Sequence, residues 1–335
     1  MPRTASLGVV GLGRMGRLYA EIVSRSVEGA RLVAVFSRTR SRCEEVAREL
    51  GARCVSSAEE MMRDPEVEGV IVATPSYTHA EMIELAADYG KHVLVEKPID
   101  VDIDRAKRAV SRAERSGIKL LVGYMRRFHS SYRRAKELVD EGRIGIPYAY
   151  IGVSKDPEPP PPGWLRDPRL SGGLLLDLAS HDFDLARWFL GREPIEVYAR
   201  GGDFHGAGFG DADSAIATIA FEGGAFATVI ASRRSPYGYD VRCEIHGTEG
   251  AVFVGSRHSY EVSIGGWGRV EYVGIEWFQK RFLEAYTEEV RHFARLVTGV
   301  EEKPLVSGRD ALKALCVAAA ARESMERGAA VRVAC

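Results

Sequence analysis

The sequence predicts an α/β chain, with a doubly wound parallel sheet first and then an α+β region built on a large, mostly antiparallel open sheet. Three observations carry this prediction. Between residues 7 and 123 short apolar runs alternate with helical stretches, the pattern of parallel strands covered on both faces. The first of those runs ends in glycines and leads directly into a helix. From 195 to about 264 short strands follow one another across Gly-rich turns (IEVYAR, SAIATIAF, AFATVIAS, VRCEIHG), which reads as an antiparallel sheet.

The elements follow in order. Residues 7–10 form an apolar strand, and 15–27 carry helical periodicity. RLVAVF at 31–36 is a second strand and 41–50 a second helix. VEGVIVAT at 67–74, 92–95 and 118–123 are further strands, with helices at 79–89 and 102–115 between them. After Tyr124 the pattern changes. Residues 130–142 read as helix, 146–153 as strand and 155–168 as a stiff Pro-rich loop. Residues 172–190 open with glycines and continue as a helix, and 278–298 and 308–327 are two closing helices. The expected division is a dinucleotide-binding domain over 1–124 and a substrate-binding and oligomerisation domain over 125–335. The last helix is expected to return to the first domain.

Composition sets the class. The chain has 335 residues, 45% hydrophobic and 28% charged, which is ordinary for a two-domain globular protein. Lys plus Arg is 46 against 47 Asp plus Glu, a net charge of −1 that argues against broad nucleic-acid binding. No apolar stretch approaches the ~18 residues of a membrane span, and no signal-peptide pattern opens the chain, so a soluble cytoplasmic protein is expected. The five cysteines lack CxxC spacing and are odd in number, so they are expected as reduced, mostly buried thiols.

Gly11-Leu12-Gly13-Arg14-Met15-Gly16 fits G-x-G-x-x-G between a strand and a helix. In that context the glycines allow a tight turn, and the helix N-terminus offers free N–H groups to a pyrophosphate, the mark of a Rossmann domain. The second strand ends in Phe36-Ser37-Arg38, where NAD-binding domains usually carry an acid for the ribose. Ser37 and Arg38 suit an anionic 2′-phosphate, so NADP is favoured over NAD.

Four motifs coincide: GLGRMG at 11–16, ATPSYTH at 73–79, VEKPI at 95–99 and GGLLLDLASHDFD at 172–184. With the domain order they resemble the Gfo/Idh/MocA oxidoreductases over essentially the whole chain. GYMRRF at 123–128, SKDPEPPP at 154–161 and YGYDVRCEIHG at 237–247 look more narrowly like inositol 2-dehydrogenases. The resemblance implies dinucleotide contacts at Thr74, Pro75, His79, Glu96 and Lys97, with Pro98 fixing the turn through a cis bond. For His79 a packing or capping role is the equal alternative.

The residues also speak for themselves. Asp177 and His181 are four apart on a helix and share a face, with Asp184 on the same side. Lys97 sits at the carboxyl end of a strand, the edge where open parallel sheets bind ligands. Oxidising an alcohol requires a hydride acceptor and a base for the hydroxyl proton. His181 suits the base, and Lys97 suits the developing negative oxygen, although the two roles are interchangeable at this level. The resemblance gives Asp177 the neighbouring hydroxyls and places Arg127 toward a sugar. Ser154, Asp156, Tyr237 and Tyr239 complete the substrate candidates, the two tyrosines on one face of a strand. Asp156 stands where some relatives carry asparagine. No metal site is expected, since Asp177 and His181 lack a third ligand.

The expectation is therefore an NAD(P)-dependent dehydrogenase of a cyclic polyol or sugar, with myo-inositol the leading substrate and no nucleic-acid or membrane partner. An aldose or other sugar dehydrogenase is the alternative within the same chemistry. A dinucleotide-binding sensor is the alternative of another class. An apolar sheet face without helix cover, together with the resemblance, implies a homo-oligomer, tetramer or dimer.

Overall fold

The computed structural model describes residues 3–206, 208, 210–255, 260–266, 269–274 and 277–335, and over 260–274 the backbone course alone. The chain divides into two compact units. One comprises residues 1–128 and 284–312, the other residues 129–283 and 313–335.

The first unit begins with β1 (Ala5–Val10), α1 (Arg14–Arg25), β2 (Ala30–Phe36), α2 (Arg40–Leu50), β3 (Arg53–Cys54) and α3 (Ala58–Arg63). It continues with β4 (Gly69–Val72), α4 (His79–Asp88), β5 (His92–Glu96), α5 (Ile103–Ser116) and β6 (Leu120–Gly123). The strands pair in the order β3-β2-β1-β4-β5-β6, all parallel, which is the doubly wound arrangement the alternation predicts. Burial is continuous along β4 and β6 and nearly so along β1 and β5, because both faces are covered. Each Val, Ile or Leu so buried contributes about 1.5–3 kcal/mol.

The sequence reading missed β3 and α3. The signal for α3 was present: Ser57 Oγ accepts the Glu60 N–H at 3.0 Å, and the Glu60 carboxylate reaches back to the Ser56 N–H at 2.7 Å. This reciprocal capping starts the helix.

The second unit holds α6 (Ser130–Asp140), β7 (Pro147–Lys155), α7 (Pro168–Ser171) and α8 (Ser180–Leu190). Its remaining strands are β8 (Pro194–Gly202), β9 (Ser214–Phe221), β10 (Phe226–Ser232), β11 (Asp240–Gly247) and β12 (Ala251–Val254). The hairpin β13 (Tyr260–Gly266) and β14 (Arg269–Gly274) stands as a separate two-stranded sheet, followed by α9 (Phe278–Arg281). The chain then adds α10 (Leu283–Val297), which belongs to the first unit from Glu284 on, followed by α11 (Gly308–Arg327) and β15 (Val331–Arg332).

Seven strands form one sheet in the order β12-β11-β7-β10-β9-β8-β15. Only β7 and β10 run parallel, so the sheet is mostly antiparallel as expected. Residues alternate in burial along β8, β9 and β10. Val197, Ala217, Ile219 and Val229 are buried, whereas Tyr148, Tyr198, Ile216, Phe226 and Phe253 are exposed in the single chain. The buried face does have helical cover, since α8 packs along β7.

The helix expected over 278–298 is broken at Phe282, which is fully buried with non-helical dihedrals, so α9 and α10 are separate. α10 packs on β4 of the first unit, where Gly69 leaves room: a Cβ there would stand 2.9 Å from Val297 and 3.0 Å from Phe293.

The cysteine expectation is corrected. Cys43 and Cys54 form a disulfide that ties α2 to β3, and Cys316 and Cys335 form another between α11 and the C-terminus. Cys243 lies outside both disulfides and is buried. Spacings of 11 and 19 residues match no recognisable motif, so the pairing comes from folded proximity. Closing loops of that size stabilises by about 3 kcal/mol each in the chain-entropy account. Among the described residues, no helix is long and apolar enough to cross a membrane.

Candidate active site

The glycine turn has the tightness its motif implies. Gly11 has φ +92° and its N–H donates to Phe36 O at 2.9 Å, closing β1 against β2. A Cβ on Gly11 would lie 2.7 Å from Ala73 O, and one on Gly16 would lie 1.6 Å from Gly11 O, so no other residue fits either position. Gly13 differs, because nothing lies within 4 Å of its Cβ position. It is the N-cap of α1 and has no side chain to bond the first helical N–H groups. Exposed Arg14 and half-buried Met15 open that helix. An open cradle lined by backbone donors fits a pyrophosphate, so the residues present suit a dinucleotide.

Ser37 and Arg38 follow β2 at the same sheet edge. Ser37 Oγ accepts the Thr39 N–H at 3.2 Å, and Arg38 is exposed. Arg40 is paired with Glu44 at 2.7 Å.

Thr74 and Pro75 follow β4, and Lys97 follows β5 through the sequence Glu96-Lys97-Pro98, whose Lys97–Pro98 peptide is cis. Lys97 is half-buried, and its backbone N–H donates to Glu96 Oε2 at 3.0 Å. His79, 1% exposed, lies between the two loops: Nδ1 is 2.7 Å from Pro98 O and Nε2 2.9 Å from Thr74 O. Both ring nitrogens thus face backbone carbonyls, and the single N–H of the neutral ring donates to one of them. The expected direct cofactor contact gives way to an indirect role in fixing the ends of β4 and β5. Burial pushes the His79 pKa below the ordinary histidine value, against the pull of the two carbonyls.

In the second unit, Asp177 and His181 lie on the expected helical segment, but the helix is not uniform. Leu175–Ala179 is a π-helical turn that runs directly into α8. Asp177 therefore sits in a widened turn, and His181 in the first turn of α8. Such turns collect at functional sites. Arg233, almost wholly buried, donates to Asp177 Oδ2 at 3.2 Å and stands 3.5 Å from Asp211 Oδ2. Asp211 in turn accepts the Leu174 N–H at 2.6 Å. His181 and Asp184 are buried.

Several substrate candidates are placed differently from their sequence reading. Ser154 is fully buried, and its hydroxyl donates to Asp182 Oδ2. Tyr150 Oη donates to Asp182 Oδ1 at 2.8 Å. Gly152 lies beneath this carboxylate, where a Cβ would meet Asp182 Oδ1 at 2.5 Å. Ser154 thus helps pin α8 to β7, and its hydroxyl is not presented to a ligand. Tyr237 and Tyr239 precede β11 in a turn and do not share a face. Tyr237 is 60% exposed and its hydroxyl donates to Asp240 at 3.0 Å, whereas Tyr239 is buried with the Arg281 guanidinium 5.9 Å from its ring. Arg127 is buried in the first unit, donates to Leu305 O at 3.1 Å and faces Asp310 at 3.8 Å. Asp156 is half-buried, with its backbone bonded to Ser232 and Ser235.

Sequence reasoning missed Asp182, Arg233, Asp211, Tyr19 and Glu289. Glu289 left a usable signal, an acid at helical spacing among apolar residues of α10. Arg233 and Asp211 left none, because their partners are distant in sequence.

Comparison with known proteins gives a consistent result. Residues 5–124 match the model of the oxidoreductase family with an NAD-binding Rossmann fold, and residues 132–253 match the GFO/IDH/MocA C-terminal domain. The chain is 39% identical to scyllo-inositol 2-dehydrogenase (NAD(+)) of Bacillus subtilis, over 99% of this chain and 97% of that one. It is 34% identical to myo-inositol 2-dehydrogenase of Thermotoga maritima, over 98% of each. The crystal structure of scyllo-inositol dehydrogenase from Lactobacillus casei with bound NAD(H) and scyllo-inositol superposes with a TM-score of 0.91 at 29% identity, covering 99% and 100% of the two chains.

The buried His79 makes a pH prediction. With its folded pKa lowered, its contribution to stability is fully present above 6.5 and is lost as pH falls through the lowered value. Urea midpoints of the wild type should fall on acidification more steeply than those of His79→Asn, by up to about 1.4 kcal/mol per pH unit. Parallel curves for the two proteins would show that the ring does not titrate on unfolding.

Proposed function

The chain belongs to the Gfo/Idh/MocA oxidoreductase family, and from that premise we propose that it oxidises a secondary hydroxyl of an inositol to the ketone. It is an NAD(P)-dependent dehydrogenase acting on CH–OH, and the sensor alternative is set aside, since the relatives are dehydrogenases and Lys97, Asp177 and His181 are all present. The observation that carries the reading is Lys97 at the carboxyl end of β5, on the same sheet edge as the glycine cradle. Myo-inositol is the preferred substrate, with scyllo-inositol and aldoses as the comparison set.

Gly11, Gly13, Arg14, Met15 and Gly16 would hold the pyrophosphate, and Thr74 and Pro75 the channel beyond it. When bound, the nicotinamide supplies the two-electron acceptor. The chain supplies the rest. The Lys97 ammonium donates to the reacting oxygen and stabilises its growing charge, and the His181 imidazole takes the hydroxyl proton. Asp177, paired with the Arg233 guanidinium at 3.2 Å, accepts hydrogen bonds from neighbouring hydroxyls. Lys97→Ala and His181→Ala should each lower kcat by about a hundredfold or more, measured with myo-inositol. Near-normal rates in both variants would remove the assignment.

The NADP preference rests on Ser37 and exposed Arg38, and it departs from the relative named for NAD(+). Ser37→Asp combined with Arg38→Ala should move the NADP/NAD ratio of kcat/KM toward NAD by roughly tenfold or more, the loss of a charge-assisted contact. An unchanged ratio rejects the phosphate pocket.

The open sheet face supports association through the second unit. Tyr148, Tyr198, Ile216, Phe226 and Phe253 are all exposed in the single chain, the kind of apolar surface that marks an interface. A homotetramer or dimer is the form this predicts, and a monomer in sedimentation equilibrium at micromolar concentration would refute it.

A further inference from the structure

α10 brings a carboxyl group into the apolar interior of the first unit. Ala285, Tyr286, Val290, Phe293 and Val297 line its buried face, and Glu289 lies among them with 0% exposure. Glu289 Oε2 is 2.8 Å from Tyr19 Oη, and the same phenol oxygen is 3.0 Å from Glu96 Oε1. Glu96 Oε2 accepts the backbone N–H of Lys97 at 3.0 Å. The Tyr286 ring stands edge-on to Tyr19 with centroids 5.9 Å apart. Gly123, opposite Glu96 in the β5–β6 register, leaves the carboxylate its space: a Cβ there would lie 3.4 Å from Glu96 Oε2.

Counting protons decides the arrangement. A phenol donates one hydrogen bond and cannot satisfy two carboxylates. Two charged carboxylates across one oxygen in a dry pocket also repel, so one of them keeps a proton. Burial, reinforced by the Glu96 charge, raises the Glu289 pKa well above the ordinary glutamate range. Glu289 Oε1 has no hydrogen-bond partner among the described residues, a smaller cost for a neutral acid than for a carboxylate. The balanced chain is then Glu289 Oε2–H donating to Tyr19 Oη, and Tyr19 O–H donating to the Glu96 carboxylate.

We propose that Glu289 is a protonated positioning residue which, through Tyr19 and Glu96, fixes the backbone that carries Lys97. The proposal rests on the role given to Lys97 above. It concerns how that lysine is aimed, and Glu289 itself touches neither substrate nor cofactor.

Two readouts test it. In infrared difference spectra at neutral pH, the wild type should show the carbonyl band of a protonated carboxylic acid that Glu289→Gln lacks. In kinetics, Glu289→Leu should lower kcat by roughly ten- to a hundredfold, the loss expected of a misplaced group. KM for polyol and dinucleotide should stay within about twofold, because the groups that bind them are untouched. Glu289→Gln, whose amide donates to Tyr19 as the acid does, should restore kcat. Tyr19→Phe should reproduce the kcat loss, and it replaces the leucine variant if that one fails to fold. Absence of the acid band, a glutamine variant as slow as leucine, or unchanged kcat in Tyr19→Phe overturns the proposal. If the wild type turns over no polyol, the proposed function fails, while the infrared band still decides the proton on Glu289.

Discussion

Parallel pairing of β1 to β6 makes every strand of the first unit end on one edge, and the chemistry of that unit follows from this constraint. The glycine turn, Ser37 and Lys97 each directly follow a strand, and Thr74 stands two residues past the end of β4. No long-range fold of a loop is required to gather them, because the ladder does it. The groups just behind the edge keep it in place. His79 joins the loops after β4 and β5, and Glu96 holds the backbone of Lys97. Nearly all of this machinery is made of backbone donors and carbonyls, which lose little entropy on ordering once the sheet has formed.

The second unit solves a harder problem with buried charge. It must hold a helix segment with polar residues against an antiparallel sheet. Asp182 accepts from Tyr150 and Ser154 on β7, and Arg233 lies between Asp177 and Asp211. A buried ion or carboxylate is tolerable only when its partners are complete, and removal of any one partner leaves a charge stranded. These contacts specify where α8 and its N-terminal turn sit. They do so more by the penalty for misplacement than by net stabilisation.

Legibility in the sequence followed the range of the interactions. The strand–helix alternation, the glycine turn and the lysine after β5 are local patterns, so they could be read directly. The continuous apolar runs told parallel from antiparallel sheet. The substrate side was read less well because its candidates were judged by residue type alone. Ser154 and Tyr239 have the right chemistry to meet a hydroxyl, yet both are buried, the serine bonded to Asp182 and the tyrosine beneath Arg281. The partner of each lies 28 to 42 residues away in the chain, a separation that no spacing rule spans. The disulfides escaped for the same reason. Glu289 could have been found, since an acid on an apolar helical face announces a buried proton or a buried partner.

The π-helical turn at Leu175–Ala179 bears on how this segment tolerates changes in length. It lies between two fixed points, the Leu174 N–H held by Asp211 and Asp182 held by β7. A wide turn absorbs one residue more than a regular helix would take between the same anchors. Dropping a residue from this stretch would let it relax to ordinary pitch with both anchors kept. The same deletion farther along α8 would put all that follows about 100° out of phase.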